Sequence, residues 1–387
     1  MTGRPRDRSV VTSTEVVPDD PALRDARRDR VLAEMEAANV DVLVVGREAN
    51  ARYVSGAPRL WLAGSRPFGP GCVLVRETGA VHLMSTWDEG VPEDIPHENL
   101  YGITFNAGNF VKVLRDIDGA ATARTVATDA LNPSAAALLP QSFPSARLVD
   151  GDRLLRRARR VKTPEEIDAI RASVHVAERS LAIAEAALAP GVTERQLTGV
   201  FMETMAEAGV TTPSTQDVAW ITSREHPWRR ASRDAPVAAG DLVAFEAGVI
   251  LGGYVGEVAR THQVGDRDEP GRALHERRDE LWDRLLHTCR PGALLTGLLD
   301  AYDAAGEAAP PMPVARGLGL GFDQPVVSHD LPDTAADEVL EAGMVLALTA
   351  FVWQEGVGAA YGMEPVVITA DGLEMLSTTP FRDQWAW

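Results

Sequence analysis

Apolar positions recur along this chain in two periods, one near 3.6 residues and one near 2. From about Pro21 to Ala38, Leu23, Val31, Leu32 and Met35 form one apolar side among arginines and acids, which predicts a helix. The continuous apolar run Val40–Val45 predicts a buried strand. Gly71–Val75 and Val81–Met84 predict two more. Helix and strands alternating in this way indicate an α/β unit. A second helix start follows at Thr163: Thr163 can cap, Pro164 suits the first turn, and Glu165 and Glu166 complement the helix dipole. Leu197, Val200, Phe201 and Met205 carry a further helix over Thr193–Gly209. Asp217–Thr222 reads as a strand, Arg272–Cys289 and Gly292–Ala308 as helices, and Gly343–Trp353 and Ala359–Thr369 as closing strands.

Between these lies the stretch that breaks the simple pattern. Gly240–Gly265 (GDLVAFEAGVILGGYVGEVARTHQVG) reads as two strands about a Gly252-Gly253 turn. Each strand holds one acid, Glu246 and Glu257, in an apolar run. An isolated buried charge is too costly, so both acids must be paired, hydrogen-bonded, protonated or metal-bound.

Composition narrows the partners. With 387 residues the chain can build two domains and a sizeable core. A net charge of −18 argues against nucleic acid or an anionic membrane as partner. Two distant cysteines, Cys72 and Cys289, make no disulfide framework, and a reduced cytoplasm is the simplest setting. No apolar run is long enough to span a bilayer. Residues 1–20 lack the apolar core of a signal peptide and read as a mobile leader. The basic run at 153–162 (RLLRRARRVK) has two readings, anion binding or the solvated face of a connector helix, and the overall acidity favours the second.

The hairpin stretch resembles the pita-bread family, which includes methionine aminopeptidase, Xaa-Pro aminopeptidase, prolidase, creatinase and ectoine hydrolase. Metal-dependent members read roughly GDLVxxDxGxxxxGYxxDxTRTxxVG here. This chain matches at Gly240-Asp241-Leu242-Val243, Gly248, Gly253-Tyr254, Arg260-Thr261 and Val264-Gly265. The Lys162-Thr163-Pro164 segment and an N-x-x-Y-x-S-G turn at Asn50–Gly56 extend the likeness. It implies an α+β chain, with a creatinase-like α/β domain at 21–159 and a pita-bread catalytic domain at 160–387. It also implies a homodimer acting on a small molecule. In creatinase an arginine shortly after that turn reaches an active site, and Arg66 is the nearest match, as a substrate contact.

The resemblance also supplies a ligand set. Relatives hold two divalent ions with two Asp, one His and two Glu. Carried over, these fall on Glu246, Glu257, Arg316, Thr349 and Glu364. Arginine offers no lone pair and stays protonated, so it cannot bind a metal. It can, however, replace a cation electrostatically. The expected site therefore uses no metal: Arg316 sits among three acids, and either one Glu is protonated or a cationic substrate, which the pocket is expected to select, completes the balance. The bland reading is a structural ion-pair cluster. His226, on the loop before the hairpin, falls where relatives carry a proton-transferring histidine. Trp228 and Trp353 could line a ligand, and His329 is a further substrate-contact candidate. The implied function is creatinase-like and metal-independent: cleavage of a C–N bond in a small amidine, guanidino or cyclic amino-acid compound. One alternative is an Xaa-Pro aminopeptidase or prolidase with shifted ligands holding one Mn, Co or Zn ion. The other is a non-catalytic binding protein.

Overall fold

A computed structural model describes residues 20–57, 71–85, 90–102, 107–129, 133–215, 217–227, 236–310, 312–329 and 337–379. Arg66 and Trp228 lie outside the described residues.

The chain begins with α1 (Pro21–Ala37), capped by the Asp20 side chain. The apolar run after it forms β1 (Val42–Val45), buried along its whole length. The expected N-x-x-Y-x-S-G turn is instead a helix, α2 (Glu48–Ser55), which ends at Gly56 in the left-handed conformation that glycine tolerates. Next come β2 (Cys72–Val75), β3 (Val81–Leu83), α3 (Ala107–Asp116), β4 (Thr125–Thr128), α4 (Pro133–Ser142) and β5 (Arg147–Asp150). These strands make a five-stranded sheet in the order β3-β2-β1-β4-β5. Pairing is antiparallel from β1 to β3 and parallel through β4 and β5.

The basic run forms α5 (Gly151–Arg160), with Leu154, Leu155 and Ala158 buried. Thr163 then caps α6 (Pro164–Ala186) in a reciprocal capping box with Glu166. Following α6 are α7 (Glu194–Glu207), β6 (Ala219–Ile221), and the hairpin of β7 (Leu242–Leu251) and β8 (Tyr254–Gln263). The rest is α8 (Glu269–Thr288), α9 (Gly297–Ala305), β9 (Ala315–Gly319), β10 (Gly321–Val327), β11 (Val345–Gln354), β12 (Gly358–Ile368) and β13 (Leu373–Met375). Eight of these strands form the second sheet, ordered β10-β9-β11-β12-β8-β7-β6, with β13 paired to β12.

One face of this sheet is covered by α6 and α8. The fit is close: a Cβ on Gly256 of β8 would fall 2.3 Å from the α6 backbone at Ser173 and Val174. That glycine fixes which face of β8 meets the helix, and so which face is left for a site. Among the described residues, no helix is long and apolar enough to cross a membrane.

Candidate functional site

Strand pairing places the carried-over positions. Gly248 pairs with Glu257, so Glu246, two residues away, shares its face. Met363 pairs with Ala259 on that same face. Thr349 pairs with Met363, and Arg316 with Ala347. Five strand positions, Glu246, Glu257, Arg316, Thr349 and Met363, therefore share the face not covered by α6 and α8.

Glu257 is fully buried. Arg316 Nη2 donates to its Oε2, and the Ser214 hydroxyl donates to Oε1 at 2.9 Å. Burial pushes its carboxyl above the ordinary range, against the opposing pull of Arg316 and Ser214. The Arg316 guanidinium also lies 3.6 Å from the Met363 sulfur and 4.5 Å from the centre of the Phe322 ring, which is 58% exposed. Glu246 is half-buried and accepts a hydrogen bond from the Tyr361 hydroxyl. Burial raises the Tyr361 phenol well above its usual value, and the neighbouring Glu246 and Glu257 charges add to this, so it stays a donor. Two carboxylates and one guanidinium leave this group, among the described residues, with one net negative charge.

Glu364 departs from expectation. It pairs with Leu348, so it points to the opposite face from Met363. There it pairs with Arg260 of β8, near Glu178 of α6 and Arg278 of α8, and accepts from Ser377. Burial pushes its carboxyl up to about 7, partly offset by Arg260. The structure thus does not bring Glu364 to Glu257, and Met363 takes the strand position expected for it. Three acids around Arg316 become two.

The remaining candidates are dispersed. Thr349 is buried opposite Met363, and its carbonyl accepts from the Tyr302 hydroxyl at 2.9 Å. His226 is exposed, and its backbone N–H binds Ser223 Oγ at 3.2 Å. This loop is tied to the far end of β11 by Trp353 Nε1, which donates to Ser223 O at 2.9 Å. Trp353 is four residues, roughly 14 Å, along the strand from Thr349, which puts His226 at the rim of the face rather than among the acids. His329 is exposed in the turn after β10. His262 lies on the helix-covered face, 2.8 Å from Glu185 of α6, as strand alternation implies.

Sequence reasoning missed Ser214, Tyr361 and Met363. For Ser214 a signal existed: a Cβ on Gly248 would fall 2.1 Å from Ser214 Oγ, so the strand glycine marks where another segment passes close. Nothing local singled out Tyr361, which is held by the whole sheet. Its backbone N–H donates to Thr261 Oγ1 at 2.8 Å, that hydroxyl donates back to its carbonyl at 2.9 Å, and Trp220 and Phe351 flank the ring.

As a metal site this donor set does not fit. Arg316 has no lone pair, Thr349 and Met363 offer weak ligands to a hard divalent ion, and Glu257 is engaged by the guanidinium. Among the described residues, no three His, Cys, Asp or Glu side chains are grouped to hold an ion.

Residues 168–370 match the metallopeptidase family M24, and residues 27–161 match the creatinase/prolidase N-terminal domain. An uncharacterized peptidase of Staphylococcus aureus (strain bovine RF122 / ET3-1) is 23% identical over 236 residues, covering 59% of this chain and 65% of that relative. The match thus spans just under two thirds of the relative's length. The prolidase from Pyrococcus horikoshii OT3 superposes with a TM-score of 0.76 at 19% identity, covering 92% of this chain and 99% of that one. The Xaa-Pro dipeptidase from Bacillus anthracis gives 0.74 at 16% identity, covering 92% and 98%. With the pita-bread frame of the hairpin and both domain matches in register, the chain belongs to metallopeptidase family M24, and its likeness to the solved prolidases is one of fold.

Proposed function

We propose that this chain is a hydrolase that has replaced the dinuclear metal centre of its family with an arginine–carboxylate pair, and that it cleaves a C–N bond in a small nitrogenous molecule. The observation that carries the reading is the Arg316 guanidinium closed on Glu257, with Met363 and Phe322 against it. Glu246 is then the acid that meets the substrate. Half-buried and held by the Tyr361 hydrogen bond, it is oriented to hold a cationic nitrogen or to orient water. One net negative charge fits a monocation such as an amidinium or guanidinium group. Arg316 serves to neutralise Glu257, and Phe322 offers an exposed ring beside it. His226 acts from the rim as the proton shuttle to the leaving nitrogen. Membership of a hydrolase family supports the reaction class. The reading includes a homodimer in a reducing cytoplasm, in keeping with two free, buried cysteines. The prolidase reading with one remaining ion is disfavoured, because Glu246 and Glu257 are the only carboxylates of the set on this face and one is bound to Arg316.

The test is release of ammonia or amine from a panel of amides, amidines and guanidino acids, with and without chelator. Turnover should survive chelation and fall at least about 100-fold in Glu246→Gln and in His226→Ala, the scale of general acid–base catalysis. Loss of turnover on chelation, restored by Mn, Co or Zn, would return the chain to the metallopeptidases.

A further inference from the structure

The basic run of α5 is largely consumed by acids. Arg157 pairs with Glu34 at 2.6 Å, and Arg160 with Glu338 at 2.7 Å. Arg156 and Arg159 behave differently. Together with Arg47, Asn50, Phe322 and Asp323 they line a cavity of about 170 Å³ where α2, α5 and β10 meet.

The charges around this cavity do not cancel. Arg47 and Arg156 share one acid, Asp152, at 3.9 and 2.6 Å. Arg159 and Lys162 share another, Asp323, at 2.5 and 2.9 Å. Asp129, which accepts from Arg47 N and Asn50 Nδ2 at 3.1 and 2.7 Å, is a third acid, so among the described residues four cations against three carboxylates leave one positive charge, in a chain whose total is −18. Arg159 is 7% exposed and rigidly held: Nη1 donates to Asn50 Oδ1 and Nη2 to Leu320 O at 2.7 Å, while its buried Nε has no acceptor. Arg47 and Arg156 are more than half exposed, so their guanidinium groups are free to turn toward an incoming group. A buried donor without an acceptor beside two underneutralised guanidinium groups is an arrangement that an oxyanion completes, because guanidinium donors match carboxylate and phosphate oxygens. The exposed Phe322 ring gives the cavity one apolar wall.

We infer that this cavity at the junction of the two sheets is a binding site for a small oxyanion, a carboxylate or phosphate group, held by Arg47, Arg156 and Arg159. It is separate from the Glu246–Glu257 face but one side chain removed from it, since Phe322 stacks with Arg316 on one hand and walls the cavity on the other.

Titration calorimetry on the full chain with sodium acetate and with sodium phosphate, each against sodium chloride at equal ionic strength, tests the inference. Saturable binding on the order of 1 mM or tighter is expected for at least one of the two anions, and the stronger names the class. The double variant Arg47→Ala/Arg156→Ala changes two exposed side chains and should weaken that binding at least about tenfold. Heats no different from chloride, or binding unchanged in the double variant, would overturn the inference. Neither result bears on the C–N cleavage reading, which rests on other residues.

Discussion

At the scale of single residues, the account turns on which side chains share one face of β8 and β12. The hairpin acids were legible because the frame Gly240–Gly265 carries strong sequence signals, and Arg316, on β9, was placed by carrying over the family's histidine position. Glu364 was not placed correctly, for a simple reason. Strand side chains alternate, so a one-residue offset moves a residue to the other side of the sheet. Met363 and Glu364 differ by that one step, and the acidic residue drew the assignment although the sulfur holds the place. Two consequences can be measured. Removing the guanidinium in Arg316→Ala leaves Glu257 buried without its cation, which should cost about 3–5 kcal/mol of unfolding free energy in a denaturant titration. The double variant Arg316→Met/Glu257→Gln should recover much of that loss. Equal destabilisation in both would mean that the pair is not the local electrostatic unit described here. For Glu364, burial raises the carboxyl pKa from 4.5 to about 7, so between those values the folded protein holds a proton that the unfolded chain releases. The stability this proton gives is full below about pH 4.5 and is lost as pH rises through about 7. Glu364→Gln cannot titrate. The stability of wild type relative to this variant should therefore fall by up to about 3 kcal/mol from pH 4.5 to 8. Parallel curves would place Glu364 in a solvated setting.

At the scale of elements, the helix starts were the most legible features: Thr163 forms the cap read for it, and the helix read from Thr193 begins there, with a reciprocal cap that was not foreseen. The Asn50–Gly56 segment was read as a turn and is helical. Its sequence carries no long apolar period, and it gains its form by burying Ala51, Tyr53 and Val54. The hairpin was read well because the Gly252-Gly253 turn and the apolar flanks agree with one another. What no local signal gave was the contact between β8 and α6 through Gly256. A methyl group there would meet backbone, which cannot turn aside as a side chain can. Gly256→Ala should therefore destabilise by about 1–3 kcal/mol or prevent folding, read from thermal unfolding and soluble yield. A neutral effect would mean that α6 can move off the sheet, and the burial of Arg260 and Glu364 between them would lose its basis.

At the scale of the whole molecule, the fold class and the family were both legible from the residues of the hairpin frame, while the strand order was not, and the chemistry depends on which strands lie side by side. β9, β11, β12 and β8 are adjacent in the sheet but distant in the chain, and only their pairing brings Arg316 to Glu257. The case for a rebuilt site accordingly rests on that ion pair and on the Tyr361–Glu246 contact, not on the number of acids retained. The most direct measurement is the metal content of the full chain by inductively coupled plasma mass spectrometry. The protein would be purified without chelator or histidine tag, then dialysed against Mn, Co and Zn and desalted. The account predicts far less than one ion per chain after each dialysis. Close to two ions per chain would contradict it, and would require Arg316 to swing off Glu257 and donors outside this face to complete a metal centre.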